Sequence, residues 1–253
     1  MDQRPLGRTG LEVGVVGYGA FKIGRAEGIK YPTGYALPDE DAAARLLHRV
    51  LDLGVNLIDV APSYGVAEER IGNALAGRRH EFVLSTKVGE QFASGHSTYA
   101  FDDASIRRSV ATSLRRLRTD AVDILLVHSD GIDEEAMAGR VAETMLDLQS
   151  AGLARFVGFS GKHAAGTRAA LAWADVVMVT YHAGDDSHAA VMDEAAEAGV
   201  GVLIKKALAS GHLPPAEAIP FAAAHPAASS LVIGGLNLDH LAENIRLATS
   251  ARA

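Results

Sequence analysis

A chain of 253 residues with 48% hydrophobic content can bury one substantial core, and its net charge of -7 supplies no basic footprint for nucleic acid or an anionic membrane. It contains no cysteine, which excludes a disulfide framework, a thiolate zinc site and a catalytic thiol. The polar start, MDQRPLGRTG, lacks the apolar core of a signal peptide and no apolar run reaches bilayer length, so a cytoplasmic location is expected.

In chain order, Val13–Gly17 reads as a first strand. The segment FKIGRAEGIKYPTGYALPDED follows. It is either a tethered surface loop or, through Phe21, Tyr31 and Tyr35, one side of a pocket mouth. A helix then starts at the acids Asp39, Glu40 and Asp41, carries Leu47, Val50 and Leu51 on one face and stops at Gly54. Val55–Asp59 and Phe82–Lys87 are the second and third strands. In DDASIRRSVATSLRRLR the spacing predicts a helix with Ile106, Val110, Leu114 and Leu117 buried, Arg107, Arg108, Arg115 and Arg116 in water, and Asp103 as N-cap. Strand Val122–His128 precedes a helix expected from Asp133 to Ser150, with Val141, Met145 and Leu148 facing inward. Arg155–Ser160, Val176–Tyr181, Val200–Lys205 and Ser230–Gly235 complete the strands, with helices at His163–Trp173, Ser187–Ala198 and Asp239–Thr249.

Strand and helix alternate eight times in roughly the length of a TIM barrel, so the expected fold is an α/β (β/α)8 barrel spanning 1–253 as a single domain. An open doubly wound sheet shares the alternation. GYGAFK, however, has Lys22 where a dinucleotide fingerprint needs a third glycine.

In a barrel, the carboxyl ends of the strands converge on one mouth. Those ends carry Asp59, Lys87, His128 and Ser160, and Tyr64 follows Asp59 on a tight loop. Singly, each has a bland explanation: a helix cap, a snorkelling rim lysine, a satisfied rim histidine, a packing aromatic. Together they make a proton-transfer set. A phenol titrates near 10, and a neighbouring ammonium is expected to lower that value for Tyr64. Lys87 would supply the charge, Asp59 would hold Lys87, and His128 would bond to a carbonyl oxygen. Such a set suits protonation of an alkoxide as hydride arrives, and hydride requires a nicotinamide cofactor.

LGRTGLEV, GVNLIDVAPSYGVAEERIGNAL, LSTKVG, SLRRLRTDAVDILLVHSD and GLARFVGFS, in that order, resemble the aldo-keto reductase family over nearly the whole chain. The resemblance is to a short, bacterial-type member. It implies that Asp59, Tyr64, Lys87 and His128 are a catalytic tetrad acting on a small aldehyde, ketone or alcohol, with NADP as cofactor and NAD possible. It also implies cofactor contacts from Gly19, Ala20, Ser160, Gly161, Lys205, Lys206, Leu208, Gly234, Gly235, His240, Glu243 and Asn244. The chain departs from the family at several of these. Gly161 and Met178 stand where Asn and Gln usually hold the nicotinamide amide. Lys205 and Lys206 occupy the place of a stacking aromatic, as pyrophosphate ligands or as exposed rim lysines. Gly234, Gly235 and His240 replace the residues that grip a 2′-phosphate, leaving backbone N–H groups and the next helix N-terminus to do so. The loop after strand seven is expected to be trimmed, and no long tail is expected to wall the pocket.

YHAGDDSH could gather a metal through His182, Asp185, Asp186 and His188, but lacks a helical ligand pair, so no metal is expected. GFSGKH fails the nucleophile-elbow pattern at Lys162. Two other functions fit a barrel: a Schiff-base aldolase using Lys87 or Lys205, and a non-catalytic NADP-binding regulatory subunit of the kind that serves potassium channels. A monomer or weak oligomer is expected.

Overall fold

Side chains alternate in and out along a strand, and in this chain that alternation divides a barrel into a sealed floor and a chemical mouth. A computed structural model describes residues 1–129, 131–133 and 140–251. Eight parallel strands close into a barrel in chain order: β1 (Val16–Gly19), β2 (Leu57–Asp59), β3 (Val83–Val88), β4 (Val122–His128), β5 (Ala154–Ser160), β6 (Val176–Thr180), β7 (Gly201–Lys205) and β8 (Ala228–Ile233). At the seam, Leu231 of β8 pairs with Val16 of β1 and Ile233 with Tyr18. Closure excludes the open sheet and leaves no bare edge. Among the described residues one α-helix follows each strand: α1 (Glu40–Asp52), α2 (Ala67–Leu75), α3 (Asp103–Leu117), α4 (Val141–Ser150), α5 (Ala164–Ala170), α6 (Ala189–Glu197), α7 (Pro215–Ala224) and α8 (Leu238–Ser250). No helix of the described residues is long and apolar enough to cross a membrane.

Leu57, Val83, Ile124, Leu126, Val176, Met178 and Leu203 form an apolar plug inside the barrel. Counting onward in twos from Leu57, Val83, Ile124 and Leu203 leads to Asp59, Lys87, His128 and Lys205 at the strands' carboxyl ends. A one-residue slip in any strand would turn its polar group into the helix layer, so burial itself fixes the register of the site. The opposite faces of the strands, including Ile58, Leu84, Leu125 and Ile204, pack in a second cluster against the helices.

Most boundaries differ from the sequence expectation by a residue or more, and three of the differences have a visible cause. The first barrel strand is Val16–Gly19 rather than Val13–Gly17, because Glu12–Gly14 pairs antiparallel with Gln3–Pro5. That hairpin presses Leu6, Leu11 and Val13 onto the plug and closes the barrel floor. The second strand starts at Leu57, since Asn56 ties the hairpin down instead: its Oδ1 accepts from Gly14 N at 2.7 Å and its Nδ2 donates to Glu12 O at 2.9 Å. The third helix is capped by Asp102, not Asp103. Asp102 has extended backbone and accepts from Ser105 N at 3.0 Å, whereas Asp103 lies in the first turn and bonds to Arg107 and Thr144. Of the helix expected over 133–150, residues 134–139 lie outside the described residues; α4 buries Val141, Met145 and Leu148 as expected.

Candidate active site

The strands' carboxyl ends open into a cavity of about 370 Å³ lined by Asp59, Tyr64, Lys87 and His128 among others. Asp59 and Lys87 lie on adjacent strands, Asp59 opposite Ser85 and Lys87 two residues further on, 2% and 1% exposed. Lys87 Nζ donates to both Asp59 oxygens at 2.7 and 2.6 Å and to Val60 O at 2.9 Å. An ammonium has three N–H groups, and all three are used. Ser85 Oγ donates to Asp59 Oδ1 at 3.0 Å. The pair therefore has the bidentate geometry and accessory bonds that a buried ion pair needs.

Tyr64 sits on the turn after β2, held by close backbone packing. Gly65 adopts φ +61, and a Cβ there would lie 2.2 Å from Gly24 O; one on Gly24 would lie 2.1 Å from Tyr64 O. Two glycines thus let the long loop after β1 press against the tyrosine turn. Phe21 from that loop meets the Tyr64 ring edge-on at 5.1 Å between centroids, and Lys87 Nζ lies 5.0 Å from the ring centroid. Of the three aromatics in the wall reading of the loop, Phe21 and Tyr31 line the cavity, whereas Tyr35 is not among the lining residues and packs edge-on to Tyr31 at 5.9 Å; Lys22 Nζ stacks 4.1 Å above the Tyr31 ring.

The Tyr64 phenol does not have the lowered pKa expected from sequence. Burial first, then the negative charges of Asp59 and Glu90, hold it well above its ordinary value. The reason is visible in the ion pair. Asp59 cancels the lysine charge at close range, and Lys87 has no N–H left for the phenol oxygen.

His128 ends β4, and its Nδ1 lies 2.8 Å from Glu90 Oε2. Burial pushes the His128 pKa down, while Glu90 pulls it up and the lysines Lys87 and Lys205 oppose it. Glu90 opens a hairpin, Glu90–Ala93 paired with His96–Tyr99, that rises from β3 beside the mouth. Its carboxylate accepts from Ser63 Oγ at 2.9 Å and Ser97 Oγ at 2.7 Å. Burial raises its pKa, but His128, Ser97 and Ser63 outweigh that and hold it well below the usual carboxylate range. Sequence reading missed Glu90. Its only signal was an acid two residues past a strand end, and its partners come from three separate segments.

The cofactor candidates divide by position. Gly19, Ser160, Lys205, Lys206 and Gly234 line the cavity. The ends of β1 and β8 meet there, a Cβ on Gly19 reaching 3.5 Å from Gly234 N, and Tyr18 Oη donates to Gly235 O at 2.9 Å. Ala20 and Leu208 pack with the apolar core behind the mouth. Lys205 turns inward, donating to Ser160 Oγ at 2.9 Å and to Gly161 O at 2.7 Å, whereas Lys206 is exposed. The rim reading thus describes only Lys206. The short connection after β7 includes a 3-10 turn at Ala209–Gly211.

At the far end, Asn244 is buried and His240 exposed. Glu243 is held by Arg246 at 2.8 and 2.5 Å. The start of α8 is less open to a phosphate than its sequence suggests. Asn237 Oδ1 already accepts from Asp239 N at 2.8 Å and His240 N at 3.3 Å, and Asp239 adds a negative charge in the first turn. In YHAGDDSH, His182 and Asp185 close a turn by backbone bonds and Ser187 caps Asp185; among the described residues no group of three or more potential ligands could hold a metal.

A family profile described as "Aldo/keto reductase family" matches residues 15–219. Among solved structures, a putative aldo-keto reductase from Pseudomonas aeruginosa is 41% identical with a TM-score of 0.91, covering 99% of this chain and 96% of that one. The holo form of aldo-keto reductase AKR11C1 from Bacillus halodurans is 26% identical with a TM-score of 0.83, covering 98% of this chain and 90% of its own. The L-galactose dehydrogenase of Arabidopsis thaliana is 34% identical over 169 residues, 64% of this chain. The uncharacterized oxidoreductase YqkF of Bacillus subtilis is 30% identical over 164 residues, 63% of this chain. Both matches span 49% of the relative, so the chain spans about half the length of these curated relatives.

Proposed function

The chain belongs to the aldo/keto reductase family, and on that premise we propose that it interconverts a small aldehyde or ketone and its alcohol, with Tyr64 as proton donor and acceptor. One observation carries the reading: a protonated phenol, an ion-paired lysine and a carboxylate-bound histidine share the wall of one cavity. The fold family implies a nicotinamide dinucleotide, and the donor set fits its carboxamide. An amide needs both acceptor and donor partners, and Ser160 Oγ, Lys205 Nζ and Gly161 O stand together at the ends of β5 and β7. When bound, the cofactor would supply or accept hydride.

The chain's own residues handle the proton and the charge. An alkoxide is far more basic than a phenolate, so Tyr64 can surrender its proton to it despite the raised pKa. The charge of Arg25, which pulls the phenol pKa down, offsets part of the phenolate left behind, and solvent restores the proton. The Glu90 carboxylate facing Nδ1 keeps the proton of a neutral His128 ring on that nitrogen, so Nε2 donates to a carbonyl oxygen only when the ring is doubly protonated. Reduction is therefore favoured at lower pH. Oxidation, which needs the Tyr64 phenolate, is favoured at higher pH.

NADPH is the proposed donor through family membership, and NADH is the donor that the residues at α8 favour, because a 2′-phosphate would meet a helix start already capped by Asn237 and an Arg246 already held by Glu243. Parallel fluorescence titrations with NADPH and NADH, followed by absorbance assays over aldehydes and ketones, test both parts. Tyr64→Phe should cut carbonyl reduction by about 10²–10⁴-fold while cofactor affinity stays unchanged. Reduction at the wild-type rate in that variant would refute the role of Tyr64.

A further inference from the structure

The sequence holds six lysines, Lys22, Lys30, Lys87, Lys162, Lys205 and Lys206, against eighteen arginines. Five of the six line the one mouth cavity, and the sixth, Lys22, stacks on Tyr31 of its wall. Arginine supplies nearly all the positive charge elsewhere. An arginine would serve as well as a lysine for charge alone; what lysine adds is an amine that can lose its proton.

The cavity treats its two inward lysines in opposite ways. Lys87 is paired to both oxygens of Asp59, with three hydrogen bonds made. Lys205 has no carboxylate within ion-pairing distance among the described residues, and its two bonds run to a hydroxyl and a carbonyl. A neutral amine has two N–H groups and one lone pair. With both N–H groups engaged by Ser160 and Gly161, the lone pair is the only feature left to present. The next residue, Lys206, holds φ +57, a left-handed conformation that a non-glycine residue rarely adopts, and the backbone turns there directly after Lys205. Burial, then the charges of Lys206 and Lys87, push the Lys205 pKa down to about 7, against the upward pull of the Asp133 carboxylate and with Lys162 adding to the fall.

We propose that Lys205 is a nucleophilic amine that captures small aldehydes in this cavity as an imine, an activity separate from hydride transfer. The nitrogen lone pair attacks the aldehyde carbon and the carbonyl electron pair moves to oxygen, which takes a proton. The carbinolamine then loses that oxygen as water, together with the remaining nitrogen proton, and the carbon–nitrogen double bond forms. One amine and one aldehyde give one imine and one water, with no oxidant or reductant. Lys30 and Lys206, without carboxylate partners among the described residues, stand at the same mouth and favour aldehydes that carry an anionic group. A nicotinamide at Ser160 would cover the amine, so cofactor and imine exclude one another.

The test uses the full chain without cofactor. It is incubated at pH 7.5 with pyridoxal 5′-phosphate or with uncharged glycolaldehyde, reduced with borohydride, digested and mapped by mass spectrometry. The expected result is one label per chain at Lys205, faster with the phosphorylated aldehyde. Its rate should be half-maximal near pH 7, not climbing toward pH 10 as for an ordinary lysine. Lys205→Arg should lose the label and Lys206→Arg keep it. Label spread evenly over the six lysines, or a Lys205 rate still rising through pH 9, overturns the proposal, and the wild-type map alone decides it if a variant does not fold. Labelling at Lys205 that NADPH fails to suppress would uphold the amine's reactivity and count against the cofactor placement, so the two readings fail separately.

Discussion

Removing Asp59 should cost this protein much of its stability, while removing Asp59 and Lys87 together should cost little. Lys87 is 1% exposed, and two of its three hydrogen bonds end on Asp59. Asp59→Ala leaves a buried ammonium holding one carbonyl, that of Val60. Breaking one side of such a pair costs about 3–5 kcal/mol, whereas replacing both partners with apolar groups of similar volume is neutral or stabilising. For a chain of this size each kcal/mol moves the melting temperature by about 2–4 °C, so Asp59→Ala should melt about 6–20 °C lower. Asp59→Leu/Lys87→Met should melt close to wild type. Urea unfolding followed by far-UV circular dichroism gives the free energies directly. Carbonyl reduction should vanish in both variants, which separates the pair's chemical role from its structural one. A loss below about 1 kcal/mol in Asp59→Ala, the range of an exposed surface pair, would refute the reasoning.

Glu90→Gln removes the anion that favours doubly protonated His128, so the falling limb of the pH–rate profile for reduction should move to lower pH; an unmoved limb means that Glu90 does not govern the histidine. Tyr18 and Tyr64 are held above their ordinary pKa chiefly by burial. Above about pH 10 the unfolded chain ionises these tyrosines and the native chain does not, so the unfolded state binds fewer protons and stability falls as pH rises. Tyr18 alone contributes about 1.4 kcal/mol per pH unit there, readable as a steadily declining urea midpoint between pH 10 and 11.5. Asp102→Ala should cost about 1 kcal/mol through loss of the α3 cap, measured by the same unfolding assay.

The chain's linear pattern determined the barrel and the positions of Asp59, Lys87 and His128. Apolar runs bounded by turns mark strands, and a run that ends on a charge marks the end from which side chains face a mouth. Both are local signals, carried by the period of two and by helix periodicity. The lysine count was equally open to inspection, although where the lysines meet was not.

Tertiary structure alone decided the electrostatics. Whether Lys87 lowers the Tyr64 pKa depends on how completely Asp59 has claimed its charge. Whether Lys205 is a rim cation or an inward amine depends on which groups face it from β5. Glu90 becomes a partner of His128 only because a hairpin after β3 brings it there, with Ser63 arriving from another loop. Charge interactions fall off over a few ångströms and depend on burial, so the sequence names the titratable groups, and only the fold sets the distances that determine what each one does.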